Sequence, residues 1–257
     1  MNTIVYSAQD RIARITLNRP EKRNALSFEL ISELKDALDN AEKDELVKVI
    51  ILDANGDAFC AGADLAYLQQ LQKFSEKENI ADSNHLKELF LKIYTHPKVV
   101  IAKVQGHALA GGCGLATVCD WVFSVPEAKF GYTEVKIGFI PALVSVFILR
   151  KIGEGAAREL LLGGDLITAE RAMIMGLVNR VVEPDWLEKE VMEFANKLIT
   201  SNSASSMMLT KKLISELPGL SLNDALDLAA NMNAKARSTE DCKRGIEAFL
   251  NKEKIIW

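Results

Sequence analysis

Apolar and polar residues alternate along the first half of the chain in short runs separated by helical periods. "IARITL" (Ile12 to Leu17) alternates as a half-buried strand does. After the turn "NRPEKRNA", Ser27 is placed to cap a helix. Leu30, Leu34, Leu38 and Ala41 then fall on one face, with Glu29 in the first turn. "VKVIILDA" (Val47 to Ala54) reads as a buried strand closed by "NGD", and "VVIAKV" (Val99 to Val104) and "WVFSV" (Trp121 to Val125) read as two more. Strands separated by helices predict crossover units and mainly parallel pairing. Between two helical patterns lies the polar segment "QKFSEKENIADSN" (Gln72 to Asn84), which fits a solvated surface loop or a mobile lid equally well.

From about Leu143 the pattern turns helical. Thr168 and Asp185 are placed as N-caps, and Ser221 with Asp224 and Ser238 with Asp241 have capping-box spacing. "LNDALDLAANMNAKA" sets Leu222, Ala225, Leu226 and Ala229 on one side. An apolar helical tail on an already large core suits packing against another subunit.

Composition narrows the class. At 257 residues and 49% hydrophobic, the chain fits one α/β domain, or one domain with an appendage. A net charge of −4, with acids and bases mixed, gives no nucleic-acid footprint and no basic membrane patch. No apolar run approaches the ~20 residues of a membrane span, and "MNTIVYSAQDRI" has no signal-type apolar region. A cytoplasmic protein is expected. Cys60, Cys113, Cys119 and Cys242 lack metal-type spacing, and the first three sit in apolar surroundings as reduced core thiols.

The candidate chemistry lies in two glycine-containing turns and one glutamate. "AFCAGADL" (Ala58 to Leu65) surrounds Gly62 with small residues, so its backbone N–H groups can approach a ligand closely. "HALAGGCGLATVCDW" packs Gly111, Gly112 and Gly114 at a helix start, where unpaired N–H groups carry about half a positive charge. One N–H from each turn would make an oxyanion hole; tight turns and close packing explain the same glycines. A dinucleotide-binding loop does not fit, because a six-residue connection separates Val104 from Gly111. In "AKFGYTEVKIGFIPA", Glu134 lies among Phe130, Tyr132, Val135, Ile137 and Phe139. It is either a buried carboxylate of raised pKa, suited to proton transfer, or a surface group paired with Lys129 or Lys136. His85, His96 and His107 are too scattered for a metal site, and Ser145 lacks a nucleophile elbow.

Taken together, "LNRPEKRNALS", "AFCAGADL", "VQGHALAGGCGLATVCDWVFS", "AKFGYTEVKIGFIPA", "GGDLITAERAMIMGLVNRVV" and "GIEAFLNKEK" resemble the crotonase (enoyl-CoA hydratase/isomerase) superfamily, in the family's order and over nearly the whole chain. The resemblance implies a spiral of ββα repeats over residues 1–195. A helical region over 196–257 would then build trimers, usually paired into hexamers. It implies that the backbone N–H groups of Ala63 and Gly111 bind the acyl-CoA thioester oxygen. Lys22 and Arg23 match the region lining the CoA phosphates. Ala61, Asp64 and Leu65 match the segment against adenine and pantetheine, and Phe249 and Lys252 match positions reaching a neighbouring subunit's CoA. No separate cofactor is implied, coenzyme A being part of the substrate.

Family hydratases commonly use two glutamates, one at Glu134 and one at the position of Gly114. With glycine there, three readings follow. The first is a hydratase in which Glu134 does most of the proton work and the Gly114 backbone or a polar substrate group places water. Here "GYTEVKIGFIPALVSVFILRKIG" resembles the subgroup acting on 3-methylglutaconyl-CoA or longer relatives, with Lys136, Arg150 or Lys151 set to neutralise a second carboxylate. The second is a double-bond isomerase using Glu134 as its one base. The third is a non-catalytic acyl-CoA-binding or RNA-binding relative, and the charge balance argues against RNA. A dehydratase of carrier-bound 3-hydroxy-3-methylglutaryl groups resembles the same stretch.

Overall fold

The computed structural model describes residues 3–257, apart from the side chain of Leu65. It opens with β1 (Ile4–Gln9) and β2 (Ile12–Leu17), an antiparallel hairpin. Asp10 and Arg11 both take positive φ in its two-residue turn, which matches the twist of the flanking strands. α1 (Phe28–Lys43) follows, with Ser27 accepting the Leu30 N–H and Leu30, Leu34, Leu38 and Ala41 buried, as the period predicts.

The chain then alternates between two sheets. β3 (Val49–Ala54) joins the first and β4 (Ala58–Cys60) the second, before α2 (Leu65–Leu71) and α3 (Glu76–Thr95). β5 (Val99–Val104), β6 (His107–Leu109) and α4 (Gly111–Thr117) repeat the pattern, as do β7 (Trp121–Ser124), β8 (Lys129–Gly131) and α5 (Ala142–Gly163). These are the expected ββα turns of a spiral. β9 (Ile167–Thr168), α6 (Ala169–Ile174) and β10 (Arg180–Val181) close the two sheets, whose orders are β1-β2-β3-β5-β7-β10 and β4-β6-β8-β9. Pairing is parallel except at β1–β2 and β8–β9. α7 (Pro184–Ser201), α8 (Ala204–Glu216), α9 (Leu222–Arg237) and α10 (Glu240–Leu250) complete the chain.

Three expectations are corrected. Most of the polar segment 72–84 is helix, because Ser75 and Glu78 form a capping box that starts α3. That start bears mostly charged residues, and α3 buries Leu89, Phe90 and Ile93 only further along, so apolar periodicity does not reveal it. α7 begins at Pro184 with Glu183 as its cap, so Asp185 stands in the first turn. Thr239, not Ser238, caps α10, and Asp241 instead accepts bonds from Ser203 and Ser205.

Lysines close three helices. Lys98 reaches Ala41 O and Asp44 O after α1, Lys151 reaches Thr117 O and Cys119 O after α4, and Lys48 reaches Ile199 O and Asn202 O after α7. Each supplies donors and positive charge to a helix C-terminus, where carbonyls lack partners. No helix among the described residues is long and apolar enough to cross a membrane.

Candidate active site

The first turn follows β4. Leu26 donates to Gly62 O at 2.7 Å and accepts the Asp64 N–H at 3.1 Å. In such a parallel bridge the residue between the two bonds, here Ala63, aims its own N–H and C=O away from the partner. The Ala63 N–H finds no acceptor among the described residues, and Ala63 is exposed.

The second turn carries Ala110 at φ 49°, ψ −123°, an uncommon conformation for a residue with a side chain. Its N–H is tied to Gly131 O at 2.7 Å. Gly111 then opens α4, so its N–H has no helical acceptor. The two turns touch. A Cβ on Gly62, which has φ 92°, would lie 3.0 Å from Ala110 Cβ, 3.1 Å from Leu109 O and 3.6 Å from Gly111 N. Gly112 packs still closer, since a Cβ there would lie 2.2 Å from Cys60 O. The glycines therefore serve both readings: they permit close packing, and that packing brings two unpaired amides together.

Glu134 begins a 3₁₀ turn (Glu134–Ile137) three residues after β8. It is half-buried, and its Oε2 is shut from solvent with no hydrogen-bond partner among the described residues. Burial raises its pKa above the ordinary carboxylate value, opposed by its own backbone N–H. Lys136 pairs with Asp165 at 2.6 Å instead, and among the described residues no ion pair joins Glu134 to Lys129 or Lys136, the alternative surface reading. Two residues before Glu134, the Tyr132 hydroxyl lies 2.6 Å from Thr117 Oγ1 of α4, which ties the segment leading into Glu134 to that helix.

Gly114 has no such freedom. Its N–H donates to Ala110 O at 3.0 Å, its O accepts the Val118 N–H, and it is buried. The Gly114 N–H is thus spent inside the helix and is no donor for water. Burial lifts the thiols of Cys60, Cys113 and Cys119 to about 12, the behaviour of core residues.

The residues matched to CoA divide. Lys22 and Arg23 are exposed, and Arg23 O accepts the Ala61 N–H at 3.0 Å, which fixes both cations beside the first turn. The Asp64 carboxylate is occupied: it caps α2 through the Ala66 N–H and pairs with Arg19 at 3.1 Å. The Leu65 side chain lies outside the described residues. Phe249 is 82% exposed on α10 and Lys252 is exposed just beyond it, in a helical region with α10 against α8 and α9. Arg150 and Lys151 line a different cavity of about 750 Å³ at the far end of α4, with Asp120, Trp121 and Lys211. The histidines lie apart: His85 beside Ser32 and Lys35, His96 on Leu38 O, and His107 accepting the Lys129 N–H. Among the described residues no group of three or more His, Cys, Asp or Glu is arranged to hold a metal.

Periodicity did not reveal Phe90 and Val144, which close the space over Gly114. They belong to α3 and α5, distant in sequence, and their only local signal is an apolar residue on a helix.

Residues 7–257 match the family described as enoyl-CoA hydratase/isomerase. A Thermus thermophilus protein, provisionally named an enoyl-CoA hydratase, is 45% identical over 97% of this chain and 98% of its own length. Crotonyl-CoA hydratase of Syntrophomonas wolfei is 35% identical over 98% of this chain and 96% of its own. The crystal structure of a Mycobacterium smegmatis enoyl-CoA hydratase superposes with a TM-score of 0.94 at 29% identity, covering 100% of this chain and 99% of that one.

Proposed function

The chain belongs to the enoyl-CoA hydratase/isomerase family, and on that premise we propose that it adds water across the double bond of an enoyl-CoA with Glu134 as its single acid/base. The reading rests on one arrangement: two unpaired amides, Ala63 and Gly111, in touching turns, with an unpartnered carboxylate beside the helix that one of them opens.

The thioester carbonyl sits between the Ala63 and Gly111 N–H groups. Glu134 takes a proton from water as the water oxygen bonds to the β-carbon. The electrons of the double bond move onto the thioester oxygen, where the two amides hold the enolate. Protonated Glu134 then returns its proton to the α-carbon, so the product gains one water and the carboxylate is restored. Each such amide is worth about 2.7–4 kcal/mol in the transition state. The raised pKa suits the second half of this cycle, in which the same group acts as an acid. Lys22 and Arg23 would meet the CoA phosphates as point and fork cations.

For the acyl group we propose 3-methylglutaconyl-CoA or a close branched acidic relative. Glycine at 114 leaves one carboxylate in the site, so a substrate with its own second carboxylate meets less repulsion and can help place water. Lys136 is the cation suited to it. It shares the 3₁₀ turn with Glu134, and its partner Asp165 is an exposed group that a substrate carboxylate can replace at little cost. Isomerisation of a 3-enoyl-CoA is the second reading, favoured by the same lone carboxylate, since moving a double bond needs one base. In the proposed assembly, Phe249 and Lys252 reach a neighbouring subunit's CoA in a trimer or hexamer.

The test offers purified protein 3-methylglutaconyl-CoA, crotonyl-CoA and a 3-enoyl-CoA. Rapid formation of 3-hydroxy-3-methylglutaryl-CoA is expected. Turnover of the 3-enoyl ester alone would establish the isomerase, and tight acyl-CoA binding without turnover of any would establish a binding role.

A further inference from the structure

Glu134 is weakly held by its own turn. That turn is four residues long, has no side-chain cap, and runs into the exposed residues Ile137, Phe139 and Ile140. Oε2 has no hydrogen-bond partner among the described residues, and the carboxylate's one anchor is its own backbone N–H. α4, which opens with the Gly111 amide, is by contrast buried almost throughout.

Two links join these pieces. At one end of α4, Ala110 N–H donates to Gly131 O at 2.7 Å. At the other, Thr117 Oγ1 lies 2.6 Å from the Tyr132 hydroxyl. Thr117 Oγ1 also bonds Cys113 O at 2.8 Å, and the Tyr132 hydroxyl also bonds the Cys113 thiol, so both hydroxyls are tied to α4. Tyr132 is wholly buried and stands two residues before Glu134. A phenylalanine would fill the same ring space without desolvating a hydroxyl. What the hydroxyl adds is a fixed position, because a buried hydroxyl is satisfied only where its partners stand.

We propose that Tyr132 and Thr117 are positioning residues, whose hydroxyl pair holds Glu134 in register with the Gly111 amide. The proposal rests on Glu134 being the acid/base of the reaction above. A base displaced by about 1 Å from its proton loses on the order of a hundredfold in rate, whereas the oxyanion donors and the CoA contacts stay in place.

The experiment measures kcat and KM for the preferred thioester in Tyr132→Phe, Thr117→Val, the double variant and Thr117→Ser, with Glu134→Gln as the reference and melting temperature recorded for each. Tyr132→Phe and Thr117→Val should each lower kcat at least tenfold with KM within about threefold, and the double variant should be no worse than the poorer single. Such non-additivity marks two groups acting as one. Thr117→Ser, which keeps the hydroxyl, should restore most of kcat. If both single variants melt earlier yet keep kcat within twofold of the parent while Glu134→Gln is inactive, the pair is structural only and the proposal falls alone. If Glu134→Gln itself retains full turnover, the assignment of the base falls and takes the proposal with it.

Discussion

Val144 occupies the space that a side chain on residue 114 would need. A Cβ built on Gly114 would lie 2.4 Å from Val144 Cγ1 and 3.1 Å from Phe90 Cζ. The position at which the family resemblance places a second glutamate is therefore closed by apolar groups from α5 and α3. Gly114→Ala should destabilise the protein by about 1–3 kcal/mol through overpacking. In Gly114→Ala/Val144→Ala most of that loss should return, because the clashing methyl is gone. Urea denaturation of the four proteins in this cycle checks it, and additive losses would show that the two residues do not collide. Gly114→Glu alone should gain no crotonyl-CoA hydration.

Gly62 keeps the two turns together. Its φ of 92° is strained for any L side chain, and a Cβ would press on Ala110 and Leu109 O. Gly62→Ala should cost about 1–3 kcal/mol of stability and move Ala63 away from Gly111. Loss of one aligned oxyanion donor lowers kcat by about 10²–10³-fold, while affinity for free CoA, which the proposal assigns to Lys22 and Arg23, should change little. Steady-state kinetics beside CoA titration separates the two; parallel losses in both would place the damage in the whole fold.

The long strands and the first helix were legible because each carries its own period: Val49–Ala54 is a buried apolar run, and α1 shows both cap and stripe. The strands of the second sheet were not. β4, β6 and β8 have three residues each, too few to display alternation. α3 starts with charged residues, and its beginning is marked only by Ser75 and Glu78. At the site the glycines announced tight turns, but their convergence depends on the Leu26–Ala63 bridge and the Gly62–Ala110 contact, pairings between distant segments. The cations mislead for the same reason. Arg150 and Lys151 follow Glu134 closely in sequence, yet the turn of α5 carries them to the C-terminal end of α4, where Lys151 caps the helix.

Ionised Glu134 weighs on stability. Because burial raises its folded pKa, the ionised form is disfavoured in the fold relative to the unfolded chain. The associated stability is present in acid and is lost as pH rises through the raised value. Glu134→Gln removes that cost and should melt higher than the parent at pH 7.5, with the gap closing as pH falls toward 4. The same variant should lose at least a hundredfold in kcat with little change in acyl-CoA affinity. For the parent, kcat/KM should rise with pH through an apparent pKa above the usual carboxylate range, as the base becomes ionised. Calorimetry and a pH–rate profile check both, and an unchanged rate would remove Glu134 from the chemistry.

His96 should set part of the acid sensitivity of the fold. It is buried between α1 and β5, with Nδ1 accepting the Lys98 N–H at 3.1 Å and Nε2 on Leu38 O at 3.2 Å, which defines a neutral ring. Burial, with Lys211 and Lys98 nearby, holds its pKa down at about 4. The unfolded chain protonates near the ordinary value of about 6.5. Its contribution is therefore complete above pH 6.5 and is lost as pH falls from there through about 4, because the unfolded state takes up the proton first. By pH 5 the loss is on the order of 2 kcal/mol. His96→Gln, which does not titrate, should be less stable than the parent at pH 7 but lose correspondingly less between pH 7 and pH 5. Urea midpoints for both proteins at the two values decide the matter, and equal losses would assign the acid sensitivity to other groups.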